Sequence, residues 1–307
     1  MIRTLELFLT IPPAWRPPLV VSDGMGLDST AVLVELHRRG IRPDAVLHAD
    51  TGDEHPETVA YREVRTAWLR AVGFPELTIV RRAPSTPGRG KKRRDGTAGV
   101  SYATLGENCL ANKTLPSLAF GKKACSVKWK IVPQNQWTRT WRLAKNAWKR
   151  GQRVVKLIGY DAGPQDSRRA HELGNDRWYT YLYPLREWGW DRERCAAEVT
   201  RAGVPLPRKS SCIYCPASKP HEIAALVRDY PALADYICLM EDTARPGLTA
   251  IEGLWRSTVK GMRRGSVARP GSMADFIRSL RADPAMLARY LVPPAPVPTQ
   301  RRLPLLV

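Results

Sequence analysis

Short apolar runs alternate with longer segments of helical period through the first half of the chain, and this alternation constrains the fold more than any other feature. PLVVS (18–22) leads into a helix-period segment from Asp28 to Arg39, and DAVLHAD (44–50) leads into PETVAYREVRTAWLRAVG, which stops at Gly73. LTIV (77–80) and VVKLIGY (154–160) are two further strand candidates, and NQWTRTWRLAKNAWKRG (135–151) reads as one helix closed by Gly151. Strand and helix at this spacing predict an α/β fold, a parallel twisted sheet with helices on both faces and a Rossmann-like outline. Past Asp191 the pattern turns helical and less regular. The expected division is therefore an α/β domain over 1–190 with a basic insertion near 111–150, a mainly helical region over 191–291, and a tail over 292–307. That tail carries five prolines and reads as extended or disordered, and residues 83–100 read as a loop rich in Gly, Pro and basic residues. No internal repeat is visible.

In such sheets ligands sit at the carboxyl ends of the strands. Here those ends carry Ser22 to Ser29, Asp50 to Gly52, and Gly159 to Asp161. The first reads S-x-G-x-G-x-D-S. It is not a dinucleotide fingerprint, because Ser29 stands where a third glycine is required, and it is not a Walker A loop, because no G-K-[ST] follows. What remains is a glycine turn whose amides, with the N-terminus of the next helix, suit a phosphate pair.

The net charge is +20, and it is concentrated. Between Ala111 and Tyr160 there are twelve Lys or Arg, no Asp or Glu, and four tryptophans: Trp129, Trp137, Trp141 and Trp148. A second basic cluster spans 81–96. Cations that track phosphates, interleaved with rings on which bases stack, point to a nucleic-acid partner through 81–96 and 111–160. No run approaches eighteen apolar residues and the N-terminus lacks the pattern of a leader, so no membrane partner is expected. Six unevenly spaced cysteines are too sparse for a disulfide framework, and the expected compartment is the cytoplasm. Cys212 and Cys215 form a C-x-x-C spaced to hold one metal, whereas Cys195 and Cys238 lie in helical patterns and read as core.

Taken in order, SDGMGLDS (22–29), D-T-G-x-x-x-P-E-T (50–58), CSVKWKIVP (125–133), IGYDAGPQDSRR (158–169), YPLREW (183–188) and SSCIYCP (210–216) resemble the motifs of the PP-loop adenine nucleotide alpha-hydrolase superfamily, the family that includes the PAPS (phosphoadenosine phosphosulfate) reductase-like enzymes. The resemblance implies that Ser22, Gly24, Gly26, Asp28 and Ser29 hold the pyrophosphate of ATP, with Mg²⁺ helping to neutralise it. It further implies that Asp50, Thr51, Gly52 and Gly159 complete the nucleotide site, with Asp50 on metal or ribose, and that Arg168 or Lys128 balances phosphate charge. Asp28, Ser29, Asp50 and Arg168 are the implied catalytic set. His55, within the second motif, touches nucleotide or serves the fold, and Glu57 equally suits the first turn of a helix.

Cys125 matches a position that supplies a cluster thiolate in iron–sulfur members, but the adjacent second cysteine of the family is Ala124 here. Cys109 is the candidate to fill that vacancy beside Cys125, Cys212 and Cys215. Four thiolates suit a 4Fe–4S cluster or, alternatively, a structural zinc, and the resemblance favours the cluster. Sulfonucleotide reductases carry a cysteine nucleophile that has no counterpart after Cys238, and they lose the G-x-D-S signature that this chain keeps. The expectation is therefore an ATP-cleaving, pyrophosphate-releasing sulfurtransferase that thiolates tRNA or DNA. A sulfur donor such as a cysteine desulfurase and a homodimer are compatible with it. The alternative is a PAPS or APS reductase that borrows a thiol from a partner protein.

Overall fold

The structure is a computed structural model and describes residue 5 and residues 11–12, 15–85, 99–164, 166, 174–255 and 271–291. Arg168, most of the basic cluster at 81–96 and the tail from 292 lie outside the described residues.

β1 (Leu19–Ser22) is a buried β-branched run that enters the glycine turn, and α1 (Leu27–Arg38) follows at once. β2 (Ala45–Asp50), buried along its whole length, leads into α2 (Pro56–Ala71), which opens on a proline at its first turn and stops where Gly73 turns to φ +70°. β3 (Leu77–Arg81) closes this half. Next comes α3 (Leu105–Ala111), whose start is fixed by a reciprocal capping box between Thr104 and Glu107. A helical stretch with a π-turn over Val127–Ile131 runs into α4 (Val132–Thr140), and α5 (Arg142–Lys149) precedes β4 (Val154–Ile158). β5 (Tyr179–Leu182) and α6 (Arg192–Arg201) follow.

The five strands are parallel in the order β3-β2-β1-β4-β5. The chain winds outward from β1 to β3, then returns to place β4 on the other side of β1. That reversal makes the crest between β1 and β4 the switch point where such sheets bind ligands. Leu19, Val21 and Val46 pack with α1, α2 and α6 on one face, and Val20, Ala45, Leu47, Val154 and Tyr179 pack with α5 on the other. The α/β arrangement read from the alternation is therefore present, with helices on both faces.

Two local readings need correction. The single helix expected over 135–151 is broken at Trp141, which is extended (φ −72°, ψ 126°). The Thr138 and Thr140 hydroxyls donate to the carbonyls of Gln134 and Trp137, and this competition favours a helix end. The tryptophans of this segment also turn inward. Trp129 is buried, and Trp137, Trp141 and Trp148 pack against the core beneath α5, so burial of the indoles outweighs their use as an open stacking platform.

The chain divides into two compact units, residues 1–112 with 116–213 and residues 113–115 with 214–307. In the second, α7 (Pro220–Asp229), α8 (Pro231–Ala244), α9 (Met273–Ala282) and α10 (Pro284–Leu291) surround Ile223, Ile237, Met240, Phe276 and Ile277. Buried Glu241 accepts from the backbone N–H groups of Leu254, Met273 and Ala274 and from the Ser272 hydroxyl, capping α9. No helix among the described residues is long and apolar enough to cross a membrane.

Candidate functional site

Within the first unit, a cavity of about 540 Å³ opens at the switch point. Ser22, Gly24, Gly26, Asp28, Ser29 and Gly159 all line it, which brings the sequence-predicted turn and the end of β4 together. α1 begins at Leu27, and its N-cap Gly26 offers no side-chain cap, so the helix N-terminus at the cavity has the polarity that takes anions. Gly159 has a specific steric task. A Cβ there would stand 2.8 Å from the Ser29 backbone nitrogen and 2.9 Å from the Asp28 carbonyl carbon, so only glycine lets β4 pass this close to the start of α1.

The turn is held from beneath by Asp23, a residue that sequence reasoning passed over. Its Oδ1 accepts from the Met25 N–H (2.8 Å) and the Ser29 hydroxyl (2.7 Å), and its Oδ2 lies 2.8 Å from Arg65 Nε. Asp23 and Arg65 are each 1% exposed. Met25, at φ 57°, takes the left-handed conformation in the turn, and Asp23 compensates that strain by fixing its amide. Ser29 thus supports the loop through its side chain, while Ser22 donates to Gln134 on α4 (2.8 Å).

Asp50 does not line the cavity. Its carboxylate accepts from the Gly52 N–H (2.9 Å) and from Arg81 (2.6 and 2.9 Å), and it pairs with Arg62 (3.1 Å). Burial by itself would raise the Asp50 pKa, but the Gly52 amide and the two arginines outweigh it and hold the group down at about 2. Lys128 is exposed and outside the lining, whereas Lys130, two residues on, lines the cavity and faces buried Glu54 at 3.5 Å.

Asp28, Asp161 and Asp166 each present one carboxylate oxygen, and these oxygens lie within 4.8 Å of one another. Hard oxygen donors of this kind fit Mg²⁺ shared with phosphates. The signal in the sequence was the Gly-Tyr-Asp end of β4, but only the fold shows that it meets Asp28.

The loop after β2 also positions the cysteines. The Thr51 hydroxyl lies 3.1 Å from Cys212 Sγ, and the Thr51 carbonyl accepts from Leu105 N–H at the start of α3. Asp53 accepts from Gly106 N–H through its side chain and from Ile213 N–H through its carbonyl. Cys109 on α3 and Cys212 thus hang from one loop, and Gly52 (φ +89°) allows the turn where a Cβ would strike Thr104. Burial pushes the Cys109 thiol up to about 12, with Asp53, Cys125 and Cys212 adding to the rise. Among the described residues no three cysteine sulfurs lie mutually within 4.8 Å. Cys215, three residues after Cys212, falls in the second unit. Cys195 is fully buried and Cys238 partly so.

No protein-family model matches the chain, and no curated protein matches it. Nineteen chains of solved structures match it, among them the following two. One is a phosphoadenylyl-sulfate (PAPS) reductase from Candida auris in a phosphate complex, with 16% identity, a TM-score of 0.35, and coverage of 66% of this chain and 81% of that one. The other is the U34-tRNA thiolase NcsA from Methanococcus maripaludis with its 4Fe–4S cluster, with 10% identity, a TM-score of 0.36, and coverage of 77% of this chain and 74% of that one. Strand order, the glycine turn after β1 and the approach of Gly159 to α1 give this chain a Rossmann-like α/β fold with its cavity at the switch point of the sheet.

Proposed function

We propose that the protein is a PP-loop enzyme that uses ATP to adenylate a nucleic acid, releases pyrophosphate, and then thiolates the activated position. The observation that carries this reading is the intact turn Ser22–Ser29 at the cavity, braced by Asp23 and opening on the N-terminus of α1. In this reading an acceptor oxygen attacks the α-phosphorus, the bond to the bridging oxygen breaks, and pyrophosphate leaves with the electron pair. A sulfur nucleophile then displaces AMP. The turn amides hold the β- and γ-phosphates, Asp28, Asp161 and Asp166 hold Mg²⁺, and Lys130, Arg192 and Lys209 supply positive charge around the leaving group. Cys109, Cys125 and Cys212 are the proposed thiolate ligands of a 4Fe–4S cluster, with Cys215 three residues further along the chain. When bound, such a cluster would supply an iron site able to carry sulfide.

Protein purified without oxygen, given ATP and Mg²⁺ with and without bulk tRNA or DNA, tests the reading. Pyrophosphate release stimulated by one nucleic acid is expected, and Asp28→Ala should abolish it. Tight APS or PAPS binding without ATP cleavage would transfer the protein to the reductase alternative. Serine substitution of Cys109, Cys125 or Cys212 should lower iron content, and unchanged iron in all three variants would remove the cluster.

A further inference from the structure

The cavity does not end at the crest of the sheet. Lys156 and Ile158 point to one face of β4, and both line it, with Tyr181, the register partner of Lys156, alongside and Gln134 of α4 above. Lys156 therefore forms the floor, two residues below the strand end, and is 2% exposed. Its Nζ donates to Asn135 Oδ1 (2.5 Å) and lies 4.3 Å from the centroid of the Tyr179 ring. Among the described residues no carboxylate lies within 4 Å of it. A buried ammonium is ordinarily matched by an anion, because desolvating an unpaired charge is costly. An amide oxygen and a ring face offset part of that cost and leave one of three N–H donors for a ligand.

We propose that Lys156 is an oxyanion-binding group at the floor of this cavity, taking a phosphate or sulfate oxygen where a carboxylate counter-ion would otherwise sit. The proposal deepens the reading above and rests on this cavity being the ligand site. It adds a second anion position to the one at the glycine turn.

Burial lowers the Lys156 pKa to about 7, with Asp176 pulling it back up. The ammonium form binds an anion and the amine does not, so affinity is full below about 7 and falls as pH rises past it. The titratable groups facing it from β5 are Tyr179 and Tyr181, both raised by burial, with Asp176 just ahead of that strand. From α4 come the neutral amides Gln134 and Asn135 and, against Tyr179, Arg139. Across the cavity stand Lys123, Lys130, Arg192 and Lys209 with Asp28 and Asp166.

Sulfate is the probe of choice, because its own charge is constant across this pH range. Calorimetric titration of the full chain between pH 6.5 and 8.5, in two buffers of different ionisation enthalpy, should show proton uptake on binding. The affinity of the Lys156 position should fall about tenfold per pH unit above 7. Lys156→Met, which keeps the apolar stem, should remove both the proton uptake and the pH dependence. Displacement of sulfate by ATP would show that the nucleotide carries the oxyanion, and simultaneous binding would assign the position to a separate small oxyanion. Sulfate binding without proton uptake in the unmodified protein overturns the proposal whatever the variant does. Pyrophosphate release from ATP together with that result would sink the proposal alone. Proton-linked sulfate binding without any ATP cleavage would sink the proposed reaction and leave Lys156 in place.

Discussion

Asp23 and Asp50 are both buried acids at strand ends, yet they do different work. Asp23 faces Arg65 in a place where neither side chain meets solvent, and it also fixes Met25 and Ser29. Asp23→Asn keeps the shape, removes the charge and leaves the guanidinium buried without its counter-ion. A loss of about 3–5 kcal/mol in urea unfolding is expected, with loss of nucleotide binding. Asp50 is depressed from 3.8 to about 2 by the Gly52 amide, Arg81 and Arg62 against the opposing effect of burial. Its contribution to stability is therefore fully present above pH 4 and lost as pH falls through about 2. The stability difference between the unmodified protein and Asp50→Asn should shrink over that window in an acid titration followed by circular dichroism. A constant difference would mean that the ion pairs contribute nothing. The sequence marked Asp50 correctly as a strand-end carboxylate, but its alternatives of metal or ribose overlooked two arginines that arrive from α2 and β3. Asp23 was hidden because nothing local in S-D-G shows that Arg65, forty-two positions away, will meet it.

At the scale of elements, the site depends on how closely β4 approaches α1. Gly159→Ala would put a methyl group against backbone on both sides, and neither strand nor helix start can move without disturbing the glycine turn. A destabilisation of about 1–3 kcal/mol is expected, with at least tenfold weaker ATP binding. Equal ATP affinity in the two proteins would show that this contact does not shape the phosphate site. Four strands and the helices over Leu27–Arg38 and Pro56–Ala71 were legible from periodicity, since each has a long, regular pattern. β5 escaped notice because four residues, Tyr-Thr-Tyr-Leu, form too short a run to separate from a loop. The break at Trp141 was equally hidden, because the apolar spacing continues across it while the threonine hydroxyls stop the helix.

At the scale of the whole molecule, the +20 charge creates a field that the inward-turned tryptophans do not contribute to. α5 is the plainest case: Ala144 and Ala147 are buried and Trp148 is packed, while Arg142, Lys145 and Lys149, with Arg150 just beyond, remain exposed. Lys145→Glu with Lys149→Glu should weaken tRNA or DNA binding and reduce the slope of log K against log salt by about 2, roughly one per lost phosphate contact. An unchanged slope would place the nucleic-acid surface elsewhere. The sequence by itself determined the alternation of strands and helices, the glycine turn, the charge and the cysteine inventory, because each is carried by residues close together in the chain. Only the tertiary structure decided that Asp23 braces the turn, that Asp161 and Asp166 join Asp28, that Lys130 rather than Lys128 reaches the cavity, and that Lys156 lies unpaired by carboxylate on its floor. Those are meetings between distant segments, and burial and ion pairing, which no local pattern records, decide them.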